Sequence, residues 1–177
     1  MNSATRKPSR VKAESREQVP GRDVILRTIE EVYRGPAWHG PSVRSVLREL
    51  TPSTAARRIA PGRNTPWELM LHLAYTRHRL LLRLGMSTAG DFPRKLKASW
   101  WPETPERPTD AAWAADLALL EEYQRRLVDA IEHAPGKNLR RVRPGRTCTV
   151  ADELLGVAAH DAYHSGQIRL LARLGRK

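Results

Sequence analysis

Helix start and stop signals bracket nearly every apolar stretch of this chain, and no stretch shows the sustained alternation of a strand. The clearest start is "TPWE". Thr65 stands at the cap, Pro66 at the first helical position and Glu68 where it completes a capping box. The helix it opens runs to Leu84, with Gly85 behind it. A second box, Thr149 to Asp152, opens a last helix that reaches Leu174 before Gly175. Asp23 can cap "VILRTIEEVY", with Val24, Ile25, Ile29 and Val32 at helical spacing and Gly35-Pro36 as a stop. Asp110 or Thr109 opens a third helix whose stripe is Trp113, Leu117, Leu120, Leu127 and Ile131, ended by Pro135-Gly136. No internal repeat stands out.

Between these helices lie less regular pieces. "SVRSVLREL" carries Val43, Val46, Leu47 and Leu50 at threes and fours and reads as a continuation of the first rod after the break "GPAWHGP". Thr51-Pro52 starts a short turn that ends by Pro61-Gly62. Residues 86–108, with four prolines and paired tryptophans, read as a long connection without regular pattern. At about 3.3 Å per residue it can span the second helix from end to end. Four amphipathic helices with one long crossover between the second and third define an all-α, four-helix bundle over residues 22–177. Residues 1–21 are polar and basic, with too little apolar surface to offset the entropy of ordering, and read as a disordered tail.

Lys and Arg outnumber Asp and Glu by 31 to 19, a formal net charge of +12. Such an excess favours anionic partners. It is, however, spread along the chain, with much of it in the tail (Arg6, Lys7, Arg10, Lys12, Arg16) and a loop (Lys137, Arg140, Arg141, Arg143, Arg146). No helix-turn-helix or finger pattern accompanies it, and aromatics are not interleaved with the basic loops, so the charge reads as solvated surface rather than a nucleic-acid interface. A single cysteine, Cys148, excludes an internal disulfide. With no signal-peptide core and no apolar run near the roughly 20 residues of a membrane span, the expectation is a soluble, cytoplasmic protein without a membrane partner.

Chemistry enters on the last helix. Its inward stripe runs Leu154, Val157, His160, His164, Ile168, Leu171, so two imidazoles stand where leucine is expected. Buried without a partner, each ring nitrogen costs on the order of 1–3 kcal/mol. Residues four apart on a helix lie about 5–6 Å apart at Cβ, close enough for two imidazoles to converge on one ion. His72 lies in the middle of the second helix, and facing helices of a bundle share an interior. His72, His160 and His164 are therefore the candidate metal ligands. His39, beside Trp38 at the break in the first helix, is a pocket candidate. Gln167, one turn after His164, and Asp161 and Tyr163, flanking the pair, are candidates for contacts that orient an imidazole. Gly156, one turn before His160, leaves room for a ligand or for close helix packing. Glu153 lies two turns from His160, too distant to assign as acid or base. His78 and His133 are expected at the surface.

The run "HDAYHSGQI" at 160–168, with "PWELMLHLA" and "AWHGPSVRSVLREL" upstream, resembles the DinB-like family of damage-inducible proteins, which is unrelated to the polymerase of similar name. The likeness covers about residues 23–174. It implies a four-helix bundle, often dimeric, with a divalent ion held at the positions of His72, His160 and His164. It also implies kinship with thiol-dependent transferases and isomerases that use low-molecular-weight thiols. The basic N-terminal extension departs from the family pattern. Three neutral imidazoles leave a divalent ion its charge and an open position, suited to making bound water or thiol acidic. Ligand type does not choose between zinc, nickel and iron. The expected partner is a small molecule. A metal-stabilised bundle without catalysis is the other reading of the same triad.

Overall fold

The computed structural model describes residues 21–85 and 90–175. The predicted tail therefore lies outside the described residues, Gly21 apart. The order of elements is α1 (Arg22–Arg34), α2 (Val43–Arg48), α3 (Pro52–Ala56), α4 (Pro66–Arg83), β1 (Leu96–Ala98), β2 (Trp101–Pro102), α5 (Asp110–His133), α6 (Gly136–Arg140) and α7 (Val150–Leu174). The long helices α1, α4, α5 and α7 pack as a closed ring in which each touches two others: α4 on α5, α5 on α1, α1 on α7 and α7 on α4. This is an all-α bundle. None of its described helices is long and apolar enough to cross a membrane.

Local signals account for most helix ends. Thr65 accepts from the Glu68 amide and Glu68 accepts from the Thr65 amide. Thr149 and Asp152 repeat the arrangement at α7, and Thr109 caps α5. Elsewhere the structure corrects the expectation. Asp23 sits inside the first turn of α1, after Gly21, whose φ of 85° suits glycine, and Val24 is exposed. "VRSVLR" is a separate helix with its own cap, Ser42, rather than a continued rod. The turn after Thr51 closes into a short helix through a Thr51–Thr54 capping box. The basic loop after α5 contains α6, which buries Leu139. The crossover is not structureless either: β1 and β2 pair antiparallel, Leu96 opposite Pro102 and Ala98 opposite Trp101.

The core divides into two apolar halves. One joins α2 and the first half of α4 to the start of α5 and the end of α7, through residues such as Val46, Trp67, Met70 and Ile168. The other joins α1, the second half of α4, the end of α5 and the start of α7, through Ile29, Leu80, Leu127 and Leu154. Between them runs a polar band holding Arg77, Gln124, Asp161, His72 and His164, all buried. The crossover is tied beside this band. An Arg94 guanidinium is paired with Asp116, whose other oxygen accepts from the Trp67 indole at 2.8 Å, and Lys97 is paired with Glu68.

Glu68 thus joins the α4 cap to the crossover. Burial alone would raise its carboxyl. Arg58, Lys97 and the Thr65 amide outweigh that and bring it from 4.5 to about 2. Because the folded value is the lower one, the stability Glu68 contributes is complete above 4.5 and is lost as pH falls through about 2. Glu68→Gln should lower stability by about 1–2 kcal/mol at neutral pH, with the gap to the parent narrowing below pH 4.5. Urea unfolding of both proteins at pH 7 and pH 3 checks this, and equal midpoints at pH 7 would refute it.

Candidate metal centre

His72 is presented by α4 and His160 and His164 by successive turns of α7, which packs against α4. The His72 Nε2 lies 3.0 Å from the His160 Nε2, and the His164 Nε2 lies 3.1 Å from the same atom. His72 and His164 are buried, whereas the His160 side chain is 29 % exposed and forms the open edge of the cluster. The structure thus brings all three ligand candidates together.

The far nitrogens decide what the near ones can do. His72 Nδ1 lies 2.8 Å from the Trp100 carbonyl, which can only accept, so Nδ1 carries the proton and Nε2 is a bare lone pair. Gln167 donates its Nε2 to the Tyr163 hydroxyl and turns its Oε1 toward His164 Nδ1 at 2.6 Å, which leaves the His164 Nε2 bare as well. Two lone pairs then face the single Nε2 of His160, which holds at most one proton. One proton cannot serve both contacts; a cation can. Three ring nitrogens, two of the separations about 3 Å and all within 4.8 Å of one another, suit metal–nitrogen bonds of about 2.0–2.1 Å. The site therefore fits a divalent ion by its own hydrogen bonding. Burial pushes His72 below its ordinary value, partly opposed by the Trp100 carbonyl. Burial and the neighbouring His160 push His164 down to about 4. Both rings stay neutral, the ligand form, near pH 7.

Behind the triad stands a charged anchor that sequence reasoning missed. Asp161 is fully buried, not solvent-facing, and receives the Arg77 guanidinium at 2.5 Å. Burial would raise Asp161, but the Arg77 charge outweighs it and keeps the carboxyl below its usual range. The Asp161 Oδ1 lies 3.7 Å from His160 Nδ1, a charge contact longer than a hydrogen bond. Arg77 also donates to the Leu73 carbonyl and, at 2.7 Å, to Gln124 Oε1, while Gln124 donates to Glu30 at 2.6 Å. Its signal was available in the sequence. Leu69, Leu73, Arg77, Leu80 and Leu84 are spaced by fours and threes, so a cation occupies the buried stripe of α4.

The remaining candidates divide. Gln167 holds His164, and Tyr163 is 63 % exposed and holds Gln167. Trp38 and His39 are not at this site. They are exposed, Trp38 at 95 %, and border a separate hollow with Leu155, Ala158 and Ala162. His133 is exposed as expected, but His78 is buried, packed among Tyr75, Phe92 and Tyr123. Burial, with Arg79 and Arg126 nearby, lowers His78. The crossover contributes two residues not foreseen: the Trp100 carbonyl and the Trp101 ring, which stacks on His72 with centroids 4.4 Å apart.

Cavities flank the triad. On the His164 side, one of about 480 Å³ is walled by Ile59, Leu69, Trp101, Leu170 and Leu171, with Gln167 at its edge. On the other side, one of about 320 Å³ is bordered by His72, His160, Thr76 and Gly156.

The model of the DinB superfamily matches residues 38–168, well over half of the sequence, and the chain belongs to that superfamily. No curated protein and no solved structure matches it.

Two variants test the supports of the triad. Arg77→Met leaves Asp161 buried without a counter-charge and should cost about 3–5 kcal/mol in denaturant unfolding; a loss below 1 kcal/mol would show that the pair carries little. Gln167→Ala should weaken divalent-cation affinity about 10–100-fold, measured by competition with a chromophoric chelator, while the fold is kept. Unchanged affinity would remove Gln167 from the site.

Proposed function

We propose that this protein is a metal-dependent enzyme that activates a small thiol, or water, for attack on an electrophile. The observation that carries the reading is the convergence of three ring nitrogens, two of them fixed as bare lone pairs, between two cavities. When bound there, a divalent ion supplies a Lewis acid that makes a coordinated thiol or water acidic enough to ionise near neutral pH.

The other work falls to the chain. His72, His160 and His164 hold the ion. The Trp100 carbonyl and Gln167 fix the rings with their Nε2 lone pairs inward, and Arg77 with Asp161 sets a negative charge behind His160. The apolar walls of the larger cavity orient an apolar electrophile and exclude water from it. In the transfer, the sulfur anion forms a bond to the electrophilic carbon, the leaving group departs with its electron pair, and the thiol proton goes to solvent. Zinc, nickel and iron all suit three imidazoles.

Elemental analysis of protein purified without a metal-affinity tag is expected to find about one divalent ion per chain, lost in His72→Ala and His164→Ala. Conjugation of 2-mercaptoethanol to an activated aryl chloride should then be abolished by chelation and restored by adding the metal back. An ion that binds and raises the melting temperature, with turnover indifferent to chelation, would leave a metal-stabilised scaffold in place of an enzyme.

A further inference from the structure

The smaller cavity has a mouth whose charge the fold does not explain. Glu153, on the first turns of α7, is paired with Arg143, lies 3.4 Å from the Arg83 guanidinium and 3.9 Å from that of Arg146. The Arg79 and Arg83 guanidiniums also lie 5.8 and 6.0 Å over the Trp100 ring, whose backbone carbonyl holds His72. Three cations thus crowd one carboxylate beside a space that Arg83 and Glu153 border and His72 and His160 floor, with Arg79 a fourth over Trp100. One Arg–Glu pair is enough to fasten the 141–149 segment to α7; the surplus cations add repulsion. Burial leads in holding Arg83 below its ordinary value; the attraction of Glu153 opposes it, and Arg143, Arg146 and Arg79 add to it.

The cavity is also kept open by a residue that does not favour its own helix. Gly156 lies within α7, where glycine costs about 1 kcal/mol relative to alanine. No atom lies within 4 Å of the place its Cβ would occupy, so close helix packing does not require it. What its lack of a side chain provides is room beside His160.

From these features we infer that the cavity between Gly156, His160 and Arg83 binds a small carboxylate-bearing molecule, its acid group held by Arg83, Arg143 and Arg146 and its other end reaching the triad. The cluster already accommodates one carboxylate, that of Glu153, and guanidinium forks match a second. On the reading given under Proposed function, that molecule is the thiol: an acidic thiol enters over His160 and the apolar electrophile enters over His164. Each cavity then has one occupant.

Mercaptosuccinate, 2-mercaptoethanol and succinate separate the two ideas. With the full chain loaded with cobalt(II), the near-ultraviolet sulfur-to-cobalt band reports thiol binding, and calorimetry on the metal-free chain reports succinate binding. Mercaptosuccinate should bind at least about tenfold more tightly than 2-mercaptoethanol, the size of one charge-assisted hydrogen bond. The Arg143→Gln/Arg146→Gln protein should bring that ratio to near one and lose succinate. Gly156→Leu, which fills the cavity and suits a helix, should lose both carboxylates with its helical signal intact. Equal binding of the two thiols with no succinate binding overturns the inference and leaves the thiol reading standing. Succinate binding that vanishes in the double variant, with no cobalt band from either thiol, upholds the carboxylate site and overturns the thiol reading.

Discussion

One buried guanidinium holds this bundle together across its middle. Arg77 projects from α4, pairs with Asp161 of α7, and donates to Gln124 of α5, which donates to Glu30 of α1. All four long helices meet at this chain of contacts. The Tyr33 ring lies 5.0 Å from the guanidinium and covers it from the α1 side. A charge taken out of water is costly, and its pairing offsets the cost only when the remaining donors are satisfied. Here the fork reaches two carboxylate oxygens, an amide oxygen and a backbone carbonyl, so a rotation of any one helix would strand a buried polar group. The apolar halves on either side can tolerate small slips of packing; the node cannot. It sets the rotation of α4 and α7 about their axes, and so aims His72 and the pair His160 and His164 at the same point.

The triad therefore lies in a band of the core committed to polar contacts, beside Arg77, Gln124 and Asp161. A histidine placed among Leu80, Leu127 and Leu154 would have no partner and no route to solvent. In the central band, imidazole nitrogens meet Trp100, Gln167 and the Asp161 charge, and the exposed edge of His160 opens to the smaller cavity. The ligand rings are held from three directions: the crossover for His72, the same helix one turn on for His164, and the Arg77–Asp161 pair behind His160. Only the second of these is local in sequence.

That division explains what could be read from the residues alone. Thr65 with Glu68 and Thr149 with Asp152 mark helix starts because a cap is made within four residues, and the His160–His164 spacing marks a shared face because helical geometry is local too. His72 joins them once two faces are known to meet. The superfamily match, over residues 38–168, agrees with the resemblance carried by "HDAYHSGQI". The errors fall where the deciding contact is distant. Asp161 reads as a neighbour that orients an imidazole, but not as the partner of Arg77, which is 84 residues away. His78 appeared exposed because Phe92 and Tyr123, which cover it, come from the crossover and α5. The β1–β2 ribbon has no alternation to show in so few residues, and Trp38 with His39, adjacent to a chain break, gave no sign that they face another side of the molecule.

The crossover shows how a segment of low apparent order takes part in the site. Charged pairs and a short ribbon hold it in place: Arg94 on Asp116, Lys97 on Glu68, and β1 on β2. Its Trp100 carbonyl sets the His72 tautomer, and its Trp101 ring stacks on that imidazole. Were the segment to lift, His72 could place its proton on either nitrogen and one of the three lone pairs would no longer be assured. Cation binding would draw on all three rings, and would then stabilise the seated crossover by the same free energy with which the seated crossover favours the cation. The Lys97–Glu68 pair joins that equilibrium to the cap of α4. The helix carrying His72, the strap that orients it and the ion it would hold thus stand or loosen together, while His164, oriented from its own helix, keeps its geometry in either case.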